Sequence, residues 1–185
     1  MTRLIYVFSF CVLLIAHSFA ESTMNHNGSS DIEVPFSSSK DFSEDAINFC
    51  FDLTDKDGNR HKINGNGKVT VIMLTTTWCN CCPAILKKLE RCKDKLINEK
   101  NIEIVSIIVG NDNINDIQTH YTNSDIKSFK VFKAIPQSKL PALNCVPTCI
   151  VLDKTGKQVF RYSGHANYDG KEFLQFLKDL EKKTC

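Results

Sequence analysis

An excess of charge of either sign is missing from this chain. Its 23 Lys and Arg stand against 21 Asp and Glu, so no concentrated basic face argues for nucleic-acid binding. Internal repeats are absent, which leaves no sign of a solenoid or array. Hydrophobic runs are short: the segment Leu4 to Ala16 falls below the ~18 to 20 residues that a spanning helix requires. Length is limited too, since 185 residues exclude a large multidomain enzyme and suit one ordinary globular domain. Composition argues against disorder of the chain as a whole, with twelve Phe, 42% hydrophobic residues and 24% charged residues.

Cysteine is what the chain has in excess. Nine in 185 residues exceed ordinary cytosolic usage yet fall short of a disulfide-stapled miniprotein, which brings redox or metal chemistry forward. Cys11 lies in a segment with the order of a cleaved signal peptide: Arg3 as a positive n-region, the apolar run, then Ser18-Phe19-Ala20 with small residues at the two positions a signal peptidase reads. The bland alternative is an uncleaved membrane anchor. No Leu-x-Gly precedes Cys11, so nothing marks a lipoprotein. We expect residues 1–20 to be removed, leaving a nearly neutral protein with eight cysteines, no stable membrane anchor, and a location in the periplasm or another extracellular or secretory compartment. Residues 21–45, with seven serines and no apolar periodicity, read as a flexible polar leader that includes an Asn27-Gly28-Ser29 acceptor pattern. The folded domain is expected over 46–185.

Within it, Asn48 to Thr54 and His61 to Ile63 flank Asp55-Lys56-Asp57-Gly58 and predict a β-hairpin. Val69 to Leu74 and Ile102 to Val109 read as buried strands. Between them Ile85, Leu86, Leu89, Cys92, Leu96 and Ile97 recur at three and four, predicting an amphipathic helix from Cys79 to about Asn98 and hence a β-α-β unit with parallel strands. Asn113 to Thr122 is expected to be helical, and Asp125 to Leu143 stays unassigned because Pro136 and Pro141 interrupt it. Thr148 to Leu152, a turn at Asp153 to Gly156, and Val159 to Tyr162 predict a second hairpin. Phe173, Phe176, Leu177 and Leu180 mark the stripe of a closing helix.

The chemistry gathers in Trp78-Cys79-Asn80-Cys81-Cys82-Pro83. A thiol in the first turn of a helix meets unpaired N–H groups and the positive end of the helix dipole, both of which favour thiolate, so Cys79 is the candidate nucleophile. Cys82 is spaced to close a small ring with it, as a resolving thiol must. Pro83 is tolerated in a first turn, where its missing N–H costs little. A C-x-x-C between a buried strand and an amphipathic helix in an exported chain is a strong redox signal.

These residues resemble the thioredoxin fold, and within it the extracytoplasmic thiol-disulfide oxidoreductases of the TlpA/ResA/CcmG type. Asn48-Phe49-Cys50-Phe51-Asp52-Leu53-Thr54-Asp55 with Asp57-Gly58 is similar to that family's N-terminal hairpin, and Thr77-Trp78-Cys79 with Cys82 to its W-C-x-x-C site. Val146-Pro147-Thr148, followed by Ile150 to Asp153 and Gly156-Lys157, is similar to its cis-proline segment. The resemblance implies an α/β fold with a central mixed sheet flanked by helices and an N-terminal hairpin. It also implies a redox-active Cys79–Cys82 pair, a cis Pro147 packed against it, and Trp78 and Val146 offered to a substrate backbone. Expected partners are protein thiols and disulfides and a recharging partner, with no cofactor and no metal. The chain departs from the family at two acids: Met73 stands where thioredoxins carry a buried carboxylate, and Ile85-Leu86-Lys87 replaces Glu-x-Pro. Proton transfer from Cys82 then falls to water or to a substrate group.

The remaining cysteines have quieter readings. Cys50, Cys92 and Cys149 fall on expected strands or an apolar helix face and suit the role of small hydrophobes. Cys81 and Cys145 are possible modulators of the pair. Cys145 and Cys149 are too far apart along a strand, about 13 Å, to bond each other. His61, His120 and His165 are expected to face solvent. Three rivals stay open: a soft-metal site using Cys79, Cys81 and Cys82 with Cys145 or His165, as in a copper chaperone of the Sco type, although the C-x-x-x-C of that type is missing; a peroxidase with Thr76 before Cys79, opposed by Ile72 where a proline is expected; and a non-catalytic interaction module. Direction of exchange favours a reductase.

Overall fold

The computed structural model describes residues 51–64, 67–113, 115, 121–122, 126–135, 143 and 145–183. The expected signal peptide, leader, Cys50, His120, Pro136 and Pro141 lie outside them, as does most of the expected helix at 113–122, of which Asn115, Tyr121 and Thr122 are helical.

Along the chain run β1 (Phe51–Thr54), β2 (Arg60–Ile63), β3 (Val69–Thr75), α1 (Cys82–Lys95), β4 (Ile102–Ile108), β5 (Lys130–Ala134), β6 (Thr148–Leu152), β7 (Gln158–Ser163) and α2 (Lys171–Lys182). The strands form one mixed sheet in the order β2-β1-β5-β4-β3-β6-β7. β3 and β4 are parallel from Val69 opposite Ile102 to Thr75 opposite Ile108, as the β-α-β pattern requires. β6 runs antiparallel to β3, placing Thr148 opposite Leu74, so the start of β6 lies at the end of the sheet where β3 finishes. That alignment positions the site.

The two hairpin turns are built alike. Asp55 Oδ1 accepts from the N–H groups of Asp57 and Asn59, and Asp153 Oδ1 accepts from those of Thr155 and Lys157. Each turn then ends on a glycine at positive φ, Gly58 at 83° and Gly156 at 86°, where a Cβ would be strained.

β3 is buried along its whole length and serves both faces of the sheet. Val69, Val71 and Met73 join Ile85, Leu86, Leu89 and Cys92 of α1 and Phe173, Leu177 and Leu180 of α2 in one core, while Ile72 and Leu74 join Phe51, Leu53, Ile107 and Ile150 in the other. A continuous apolar run is what a strand covered on both faces requires. On α2, Phe173 meets Tyr168 edge-on at 5.3 Å between ring centroids and lies near Phe160 at 6.5 Å, which ties the closing helix to β7. Burying each such ring contributes about 1.5 to 3 kcal/mol.

Three expectations need correction. α1 starts at Cys82 rather than Cys79 and ends at Lys95 rather than Asn98. At its start the chain is still turning, with Cys82 N–H donating to Cys79 O and the first full helical bond running from Ile85 N–H to Cys81 O. At its end the helix closes through Leu96 N–H, and Ile97, placed in the apolar stripe by its spacing, is 78% exposed. The interrupted region also contains a strand: β5 takes an inner place in the sheet between β1 and β4. Finally, His61 does not simply face solvent, because its Nε2 lies 2.7 Å from Asp55 Oδ2 and its ring packs on Phe132. That contact, reinforced by donors from Asn59 and Asp57, holds the Asp55 carboxyl well below the usual carboxylate range. His165 is exposed as expected.

Candidate active site

At the end of β3 the chain leaves the sheet through Thr75, Thr76 and Thr77 and turns into α1. Thr75 O accepts from Val109 N–H at 2.8 Å, so the strand stays paired to its last residue. The loop is then anchored from the side: Thr77 N–H donates to Asp112 Oδ2 at 3.3 Å, and Lys133 Nζ donates to Asp112 O. Cys79 N–H donates to Thr76 O at 3.3 Å, which curls the chain toward the helix. Cys81 stands at the N-cap without a side-chain cap bond, Cys82 is the first helical residue, and Pro83 follows where no N–H is needed.

This local geometry bonds Cys79 to Cys82 as a disulfide, with 5.4 Å between their Cα atoms. The first cysteine sits in the turn before α1 rather than inside its first turn, so the dipole argument for its thiolate acts across the helix entrance. Both partners are shielded, Cys79 at 5% exposure and Cys82 at 0%. Cys81 is half-buried, and its Sγ lies 3.5 Å from that of Cys79. All three sulfur atoms fall within 4.8 Å of one another. Trp78, next to Cys79 in the chain, is 72% exposed.

The second loop at this end of the sheet precedes β6. The Val146–Pro147 peptide bond is cis. Pro147 is buried and its carbonyl accepts from Gly164 N–H at 2.9 Å, while Thr148 Oγ1 donates to Cys145 O at 2.7 Å and lies 2.7 Å from Ser163 Oγ. Val146 is half-buried and Cys145 is exposed. Cys145 stands outside the three-sulfur group.

Sequence patterning did not mark the groups beneath the loop. Ser106 Oγ lies 2.6 Å from Tyr121 OH and 3.3 Å from Met73 O, and Thr75 Oγ1 lies 3.4 Å from Tyr121 OH. Burial pushes the Tyr121 phenol up, more than its two hydroxyl partners lower it. Hydroxyls therefore form a buried polar layer at the end of β3, beside Met73. Asp112 was equally invisible, being an isolated acid in a polar stretch that only the fold brings to Thr77. Cys92 and Cys149, by contrast, are fully buried in the core. Burial drives the Cys92 thiol up to about 12 and raises that of Cys149 further, so both stay protonated.

Known proteins share this architecture. Among curated proteins none matches the chain. Among solved structures, a protein described as thiol:disulfide interchange protein DsbE from Chlorobium tepidum is similar at 19% identity and a TM-score of 0.62, over 72% of this chain and 94% of that one. The exposed lipoprotein thioredoxin Etrx1 of Streptococcus pneumoniae is similar at 24% identity and 0.59, over 70% and 98%. BsSco, a member of the Sco family of cytochrome c oxidase assembly proteins, is similar at 19% identity and 0.58, over 77% and 99%. Identities this low establish a common fold. Residues 66–158, half of the chain and the part that carries both loops, match the family profile described as thioredoxin-like, and the chain belongs to that family.

Proposed function

We propose that this protein is an exported thiol-disulfide oxidoreductase that works chiefly as a reductase on protein disulfides. The observation that carries the reading is the Cys79–Cys82 bond across the entrance to α1, at the sheet end where the Val146–Pro147 loop also lies. In the reducing direction the Cys79 thiolate attacks one sulfur of a substrate disulfide and the other substrate sulfur leaves as thiolate. Cys82 then attacks Cys79 Sγ, closing the pair and releasing the second substrate thiolate; two electrons pass from the dithiol to the substrate disulfide. Cys79 has the assigned first role because it is the more accessible of the two and because α1 directs its positive end at the turn it occupies. Trp78 and the Val146 backbone are assigned to substrate docking, with Pro147 shaping the second wall. The proton of Cys82 goes to water or to the departing substrate thiolate.

Export rests on the order of charge, apolar run and small residues before Glu21. Intact mass of protein recovered outside the cytoplasm should begin at Glu21, and retention of Met1 to Ala20 would refute cleavage. The direction of exchange is tested by the reduction potential of the pair. A value near or below about −270 mV supports a reductase, and one near about −120 mV would make the protein an oxidant instead. A soft-metal carrier on the same scaffold is the second reading, favoured by the third sulfur beside the pair.

A further inference from the structure

We propose that the reduced protein binds one Cu(I) ion between the thiolates of Cys79, Cys81 and Cys82, and that formation of the Cys79–Cys82 disulfide abolishes this site. The inference shares with the exchange reading only the requirement that the pair be reducible.

The geometry comes first. The three Sγ atoms lie within 4.8 Å of one another, and Cys81 Sγ is 3.5 Å from Cys79 Sγ. A metal–sulfur distance of about 2.3 Å places the corners of a trigonal three-sulfur site roughly 4 Å apart. Cys79 and Cys82 need only part from bonding distance to an ordinary contact for the set to fit, with Cys81 already in place. Thiolate ligands select soft cations, chiefly Cu(I) and Zn(II). Structural zinc is almost always four-coordinate, and among the described residues this group holds three donors, Cys145 standing outside it. Three-coordination suits Cu(I).

Electrostatics and burial support the same occupant. Three thiolates around a monovalent ion leave a net charge of −2 at the entrance to α1. Helix N-termini favour anions, and the first turn of α1 carries no acidic side chain to oppose one. Cys82 and Cys79 are almost wholly shielded, so water is kept from two of the three ligands, and half-buried Cys81 supplies the side from which an ion enters or leaves. Binding releases the protons of the coordinating thiols, so affinity rises with pH. Disulfide formation removes two of the three donors, which makes copper binding and the oxidised state exclusive.

The test uses the full chain, reduced and kept anaerobic, titrated with Cu(I) against the chromophoric chelator bathocuproine disulfonate. One equivalent should be withheld from the chelator by the reduced protein and none by the oxidised protein. Cys81→Ser should bind at least about tenfold more weakly, a loss on the scale of disturbed metal coordination, while Cys145→Ser should match the parent. Folding of Cys81→Ser is checked by its circular dichroism and thermal melt. Copper-edge absorption on the parent supplies an independent reading, expected to count three sulfur neighbours. Equal affinity in folded Cys81→Ser, equal binding by the oxidised protein, two sulfur neighbours, or the same Cys81-dependent stoichiometry with Zn(II) but not Cu(I) would each overturn the proposal. Insulin reduction measured in parallel separates the readings: turnover without copper binding removes this inference alone, and copper binding without turnover removes the oxidoreductase alone.

Discussion

Two groups of cysteines in this protein share a residue type and little else. Cys79, Cys81 and Cys82 cluster where β3 gives way to α1, two of them already bonded. Cys92 and Cys149 lie a short way into the same core, on α1 and β6, with no exposure at all. The first group sits at the N-terminal end of α1, where a partner sulfur is within reach and one thiol is only half-buried. The second sits among Val71, Met73, Leu89 and Phe173, where the loss of water penalises a thiolate more than Lys93 and Lys95 favour it at Cys92. Reactivity is therefore assigned by position at the helix entrance, and cysteine count alone says nothing about it.

The contrast breaks most sharply on substitution. Cys79→Ser should lower insulin reduction about a thousandfold or more, equivalent to about 4 kcal/mol of transition-state stabilisation, while Cys82→Ser should accumulate mixed disulfides visible on non-reducing gels. Cys92→Ala and Cys149→Ala should leave that assay near the parental rate; a loss as deep as that of Cys79→Ser would erase the distinction. A second effect belongs to the core that encloses the quiet pair. Phe173→Ala removes a buried ring and should destabilise the fold by about 3 to 5 kcal/mol in a urea titration.

Alkaline pH sharpens the comparison from the other side. The Cys92 thiol is raised from 9.0 to about 12 by burial, so between those values the unfolded chain loses a proton that the folded chain keeps. Stability contributed by the protonated thiol is complete below pH 9 and falls by about 1.4 kcal/mol per pH unit above it. Thermal melts should show this decline, to which the more strongly raised Cys149 thiol adds, and Cys92→Ala should make it shallower without abolishing it; an unchanged slope would remove Cys92 as a source. Alkylation followed by peptide mapping tests the same point chemically. Reduced protein at mildly acidic pH should label Cys79 first, Cys92 and Cys149 should stay unlabelled until unfolding, and of Cys79, Cys81, Cys82, Cys92, Cys145 and Cys149 oxidised protein should label only Cys81 and Cys145. Preferential labelling of Cys81 in the reduced protein would reverse the assigned roles. The smallest effect is expected from Asp112→Ala, which removes one acceptor from the loop and should cost about 0.5 to 1.5 kcal/mol, read as a few-fold fall in turnover.

Legibility followed the range of the interaction. The two Asp-x-x-Gly turns are readable because their hydrogen bonds span two to four residues, and β3, β4 and β6 because strands buried on both faces are predominantly apolar and β-branched. β5 is not readable: Lys130-Val131-Phe132-Lys133-Ala134 places two lysines at a spacing of three among its apolar residues and stands close to Pro136 in sequence, and only pairing with β1 and β4 makes it a strand. The start of α1 lies three residues beyond the periodic expectation because hydrophobic periodicity locates a helix face but carries little information about where the first backbone bond closes.

By itself the sequence determined the C-x-x-C and its third cysteine, the Val146-Pro147 pair, both hairpin turns and the apolar runs of the central strands, since each is a matter of neighbouring residues and their intrinsic chemistry. Tertiary structure alone decided that Asp112 would hold Thr77 and that Ser106, Tyr121 and Thr75 would meet in one polar layer. These residues are separated by tens of positions, and no local pattern encodes a meeting that exists only after the parallel and antiparallel pairings of β3 have brought both loops to one end of the sheet.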